Sequence, residues 1–162
     1  MDQKPHSLRR VSEKPRLLDD TDRKLLGLLA QDASRSYAEL GALLHLSPPA
    51  VHERVRRLKR DGVIRRTVAM LDPIKIDRPL LAFVHVSKRD WEMTRQMQAL
   101  AELPEVEEIH TVTGDCAMLL KVRVRDPQAL EALIARMHSI EGCVSTRSYI
   151  ALNSHLERVP QL

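Results

Sequence analysis

Residues 46–66, LSPPAVHERVRRLKRDGVIRR, decide how the chain is read. Ser47 is suited to an N-cap, because its hydroxyl takes up one of the backbone N–H groups that a helix start leaves unsatisfied. Pro48 fits the first helical position, where its missing N–H is not needed. Gly62 stands where a helix would close on a left-handed residue. Between them Val51, Val55 and Leu58 fall at i, i+4 and i+7 and make one narrow apolar stripe. The other face carries His52, Glu53, Arg56, Arg57 and Arg60. A helix anchored on one side and cationic on the other is what a DNA major groove accepts.

Upstream, Asp19 or Asp20 caps a helix expected over about residues 21–31, with Leu25, Leu28 and Leu29 as its buried stripe and acidic residues in its first turn. Ser36-Tyr37-Ala38-Glu39 has the capping-box spacing and opens a second short helix through Leu44, with Leu40, Leu43 and Leu44 as its apolar edge. His45-Leu46-Ser47 then leads into the basic helix, so two short helices with a tight connection form a helix-turn-helix. Val63, Ile64 and residues 67–71 are β-prone and read as a wing strand leaving the unit. Residues 1–16 are polar, basic and broken by Pro5 and Pro15; they read as a disordered tail, either inert or a basic arm on phosphates.

Asp72-Pro73 and Arg78-Pro79 mark a linker over residues 72–79, after which the periodicity changes. Strands are expected over 80–87, 106–113, 117–125 and 144–152, and helices over 91–103 and 127–139. The third strand is the plainest, with Met118, Leu120, Val122 and Val124 alternating against Lys121, Arg123 and Arg125. The order βαββαβ gives an α+β, ferredoxin-like sheet with helices on one face. The organisation is thus a tail (1–16), a winged helix-turn-helix (17–71), a linker (72–79), a sheet domain (80–156) and a C-terminal tail (157–162).

Charge divides along the same line. Residues 1–70 hold 15 Lys/Arg against 9 Asp/Glu, whereas residues 71–162 hold 11 against 13, so only the front of the chain is suited to a polyanion. With four aromatic residues in 162, the cores must come from Leu, Val, Ile, Ala and Met. Cys116 and Cys143 lie far apart, without Cys-x-x-Cys or zinc-ligand spacing, which fits a reducing compartment and no bound metal. No apolar run reaches the roughly 20 residues of a membrane span, and the N-terminus lacks a secretory segment; a cytoplasmic protein without a membrane partner is expected.

LLDDTDRKLLGLLAQDAS, LSPPAVHERVRRLKRDGVI, AMLDP, VTGDCAMLLKVRV and DPQALEALI, in this order and spacing over roughly residues 17–156, resemble the Lrp/AsnC family of transcriptional regulators. The resemblance implies an N-terminal DNA reader and a C-terminal ligand-sensing, oligomerising domain. It also implies dimers that pair through the C-terminal sheets and assemble into tetramers or octamers. Effectors such as amino acids would bind at the turn after the second strand, between dimers. There the family pattern of Gly, an acid, an aromatic and Asp becomes Thr113-Gly114-Asp115-Cys116-Ala117, so the aromatic and the second acid are replaced. Ser148 would border that pocket. Alternatively, Gly114-Asp115 is only a hairpin turn.

The binding residues follow from chemistry. Ser47 and the free N–H groups at the helix start offer an anion site. Arg54, Arg57, Arg60, Arg65 and Arg66 are placed to neutralise phosphates, with ion pairs of Arg54 and Arg57 to Glu53 or Asp61 as the alternative. Pro49, His52, Glu53 and Arg56 face bases; Arg56 can pair bidentately with guanine and Glu53 can accept from cytosine. One helix buries too little surface for tight selective binding, so a dimer reading a pseudo-palindromic duplex is expected. Two other classes stay open: an architectural, broadly binding DNA protein, and an enzyme resembling haem-pathway decarboxylases, for which His110 and His138 are the acid/base candidates. The regulator reading needs no cofactor.

Overall fold

The computed structural model describes residues 17–88, 93–114 and 117–160. It divides into two compact units, the first formed by the chain up to Val68 together with the residues after Glu157, and the second running from Ala69 to Glu157.

The first unit holds three helices: α1 (Asp20–Gln31), α2 (Tyr37–Leu44) and α3 (Pro48–Arg60). Each starts on a side-chain cap. Asp19 and Asp22 form a reciprocal capping box on α1, Ser36 and Glu39 do the same on α2, and the Ser47 hydroxyl accepts from the Ala50 N–H. Val51, Val55 and Leu58 of α3 are buried with Leu25, Leu26 and Leu40 in one core. Leu26 takes a central place that the expected stripe gave to Leu28 and Leu29, which pack at the edge of the core. Leu43 is 54% exposed and contributes little to it.

Between α2 and α3 the chain turns without slack. His45 closes α2 in the left-handed region, and the Leu46 N–H donates to the Gly41 carbonyl at 2.9 Å. Gly41 is buried, and a Cβ there would stand 2.5 Å from the Leu46 carbonyl oxygen. The absence of a side chain is what lets the turn close onto α2. Gly62, at φ +73°, ends α3 as expected.

The wing is a correction. No strand forms over residues 65–72, and Val68, Met70 and Leu71 are 64–72% exposed. A β-prone segment becomes a strand only when a neighbour completes its backbone hydrogen bonds, and none does so there among the described residues. The segment expected as a linker is also folded: residues 73–77 form turns, and the Arg78 guanidinium donates to the Pro104 carbonyl at 2.9 Å, tying it to the sheet unit.

The second unit contains β1 (Leu80–Lys88), α4 (Met93–Ala101), β2 (Val106–Thr111), β3 (Met118–Val124), α5 (Pro127–His138) and β4 (Cys143–Ile150). The sheet order is β2-β3-β1-β4, every neighbouring pair antiparallel. Ala82, Val84, Val86, Met118, Leu120, Val122 and Val124 meet Leu100, Leu130, Leu133 and Met137 of the two helices in a second core. Alternation sends Phe83, His85 and Tyr149 to the face without helices, where Phe83 is 37% and Tyr149 49% exposed. Arg123, expected to be solvated on that face, is buried. A bulge at Glu107 brings its carboxylate to 3.0 Å from Arg123 Nε, and Glu157 reaches Arg123 Nη2 at 2.5 Å. Trp91, expected in α4, lies outside the described residues.

Candidate nucleic-acid interface

With the apolar stripe of α3 facing inward, Pro49, His52, Glu53, Arg56 and Arg60 are all exposed along the opposite side. Ser47 is exposed at the start of the helix, at the positive end of its dipole. Its hydroxyl oxygen accepts the Ala50 N–H at 3.4 Å, which leaves the O–H free to donate outward. Arg56 lies 3.7 Å from Glu53 one turn back, with both side chains more than 60% exposed. That contact is a loose surface pair, worth at most about 1 kcal/mol, and yields readily to a better partner. Arg60 bonds to Asp61 at 3.1 Å, also at the surface. Arg65 and Arg66 are exposed beyond the helix end, without an ion-pair partner among the described residues. Lys59, which the sequence reading passed over, is an additional exposed cation on α3.

Arg54 and Arg57 depart from expectation. Both reach back to α1: Arg54 Nη1 lies 2.7 Å from Asp19 and 2.7 Å from Asp22, and Arg57 Nη2 lies 2.6 Å from both Asp22 oxygens. The Asp22 side chain is only 4% exposed, so its charge is compensated from within the protein. The Arg54 guanidinium beside Asp19 holds that carboxyl below the usual carboxylate range. The two arginines are therefore engaged by carboxylates within the protein and serve as struts that fix α3 against α1. Their partners are neither Glu53 nor Asp61. Asp22 was legible only as a first-turn acid, although its place one turn before Leu25 and Leu26 puts it on the buried side of α1.

Of the residues expected around an effector, those described at the β2–β3 hairpin lie together and Ser148 stands apart from them. Thr113 and Gly114 are exposed at the tip of the β2–β3 hairpin, where Gly114 takes φ +122°. Ala117 closes the hairpin, its carbonyl accepting from the Val112 N–H at 3.3 Å, while its own N–H donates to the Val86 carbonyl of β1 at 3.2 Å. Asp115 and Cys116 lie outside the described residues. Ser148 of β4 pairs with Val84 of β1, on the helix-covered face. It stands two strands from Ala117, a separation of about 10 Å across the sheet.

His110 and His138 do not meet either. The His110 Nε2 is 2.8 Å from Glu108 on the open face of β2, and it holds the Glu108 carboxyl below its ordinary range. His138 Nε2 contacts the Thr146 hydroxyl at 3.0 Å, on the face covered by α5.

A capped basic helix on a three-helix unit, followed by a βαββαβ unit, defines a DNA-binding regulator with an attached sensing domain. The AsnC-type helix-turn-helix domain matches residues 18–59 and the Lrp/AsnC ligand binding domain matches residues 81–161. The leucine-responsive regulatory protein of Escherichia coli is 37% identical over 139 residues, covering 83% of this chain and 85% of that protein. The HTH-type transcriptional regulator FL11 of Pyrococcus horikoshii is 31% identical over 140 residues, covering 86% and 93%. A Neisseria meningitidis transcriptional regulator solved with L-Met superposes with TM-score 0.84 at 26% identity, covering 89% of this chain and 97% of that one. The chain belongs to the Lrp/AsnC family of transcriptional regulators.

Proposed function

We propose that this protein controls transcription in the cytoplasm by presenting paired copies of α3 to a pseudo-palindromic duplex, and that a small molecule bound to the sheet unit tunes that binding. The observation that carries the reading is the division of α3: one stripe sealed into a core, two arginines committed to α1, and the remaining polar residues left outward. Pro49, His52, Glu53 and Arg56 read base edges; Ser47, Lys59, Arg60, Arg65 and Arg66 hold phosphates. Binding through phosphates gives affinity without sequence information, so the two groups should separate experimentally. Arg56→Ala is expected to relax preference at one position per half-site by about 1–3 kcal/mol, while Arg60→Ala weakens binding to all sequences alike. Equal losses on every sequence for both variants would contradict the division.

A homodimer through the helix-free sheet face, with further assembly to a tetramer or octamer, fits the exposed Phe83 and Tyr149 on that face. Among the described residues no helix is long and apolar enough to cross a membrane. The effector is proposed to be amino-acid-related, held near Thr113, Gly114, Asp115, Cys116 and Ala117, because a structural relative was solved with L-Met. In this chain Ala117 supplies no carboxylate for an ammonium group. Ala117→Asp should therefore strengthen L-Met binding roughly tenfold or more in calorimetric titration, the scale of one charge-assisted hydrogen bond. A titration unchanged by the substitution would remove the hairpin from the pocket.

A further inference from the structure

Tyr37 lies at the margin of the helix-turn-helix core rather than within it. It is the first residue of α2, set by the Ser36–Glu39 capping box, and it remains 37% exposed outside the helix-turn-helix core. Its ring instead meets the imidazole of His52 on α3, with centroids 5.5 Å apart and planes tilted by 40°. That spacing lies within the range of attractive ring pairs. Both ends of the contact are fixed. Gly41 lets α2 close on the turn, and the Ser47 cap fixes the start of α3.

We propose that Tyr37 is a positioning residue for base recognition: it holds the exposed His52 ring in one orientation, so that the imidazole meets a defined base edge. The inference rests on the assignment of His52 to the reading stripe. A free imidazole on an exposed helix face samples several rotamers and must be ordered when DNA binds, which weakens its contribution. A ring already packed against a neighbour carries less of that cost. The contact therefore lends selectivity to α3 from a residue outside it. Tyr37 needs only its ring for this, not its hydroxyl.

The test is selection of bound duplexes from a randomised library by the full chain at one salt concentration. Tyr37→Ala, Tyr37→Phe, His52→Ala and the Tyr37/His52 double alanine variant are compared with the unsubstituted chain, with thermal unfolding followed in parallel. The expected result is that His52→Ala and Tyr37→Ala lose preference at the same base position, with Tyr37→Ala losing roughly three- to tenfold, the span of one ring-pair interaction. The double variant should be no worse than His52→Ala, and Tyr37→Phe should keep the full preference. A uniform loss on all sequences, a loss at a different position, or a Tyr37→Phe variant as impaired as Tyr37→Ala would each overturn the proposal. If the unsubstituted chain selects a motif but His52→Ala leaves it intact, this inference fails while the regulator stands. If the unsubstituted chain selects nothing, both fail.

Discussion

Replacing Arg54 and Arg57 together by Ala should unfold the helix-turn-helix unit under conditions where the sheet unit stays folded. Asp22 is nearly fully buried, and its oxygens are held by these two guanidinium groups. Removing both leaves a carboxylate in a low-dielectric site with little but the α1 cap to receive it. Losing the partner of a buried charge costs about 3–5 kcal/mol, a large part of what a small domain has. Asp22→Ala should cost less, because the freed arginines are already 26% and 30% exposed and can swing into water. A triple variant with apolar residues at all three positions should recover much of the loss, since such networks are often replaceable as a whole. Hydrogen exchange of the full chain would report each unit separately. Protection in α1 and α3 unchanged in the double variant would show that the struts carry no load.

Gly41→Val is expected to disable DNA binding without touching any residue of the outward stripe. A Cβ at that position meets the Leu46 carbonyl at 2.5 Å, and a backbone oxygen cannot rotate away as a side chain can. Replacing Gly in a helix recovers at most about 0.5 kcal/mol when the newcomer is β-branched. Overpacking costs about 1–3 kcal/mol, and a rigid backbone contact belongs near the top of that range, so the clash wins. The turn must open and α3 must shift against α2. The predicted result is a lower unfolding temperature together with weaker binding to every duplex. Full affinity at unchanged stability would mean that the turn tolerates a side chain.

These two sites also show what a sequence discloses. The caps at Ser36 and Ser47 were legible, and that of α1 was narrowed to Asp19 or Asp20, because each is a contact within one helical turn. Alternation on β3 and the apolar stripe of α3 were legible because a single element sets its own period. The partners of Arg54 and Arg57 were not, because Asp22 lies more than 30 residues away and nothing local points to it. Arg123 looked solvated for the same reason: the carboxylates that bury it come from a bulge and from Glu157 beyond the last strand. The wing was expected from β propensity, which states what a segment suits and not whether a neighbouring strand exists. At the interface, the outward residues of α3 were readable from helical spacing, whereas the Tyr37–His52 contact depends on how α2 is set against α3.

The claim that α3 reads sequence is tested most directly by selecting bound fragments from a random duplex library with the full chain, at physiological salt. A reading head of two α3 helices predicts an enriched pseudo-palindrome with half-site centres about one helical turn, or a multiple of it, apart, and affinity for it roughly a thousandfold or more above random duplex. Comparable affinity for enriched and random sequences at the same salt would contradict it and leave a broadly binding, architectural DNA protein.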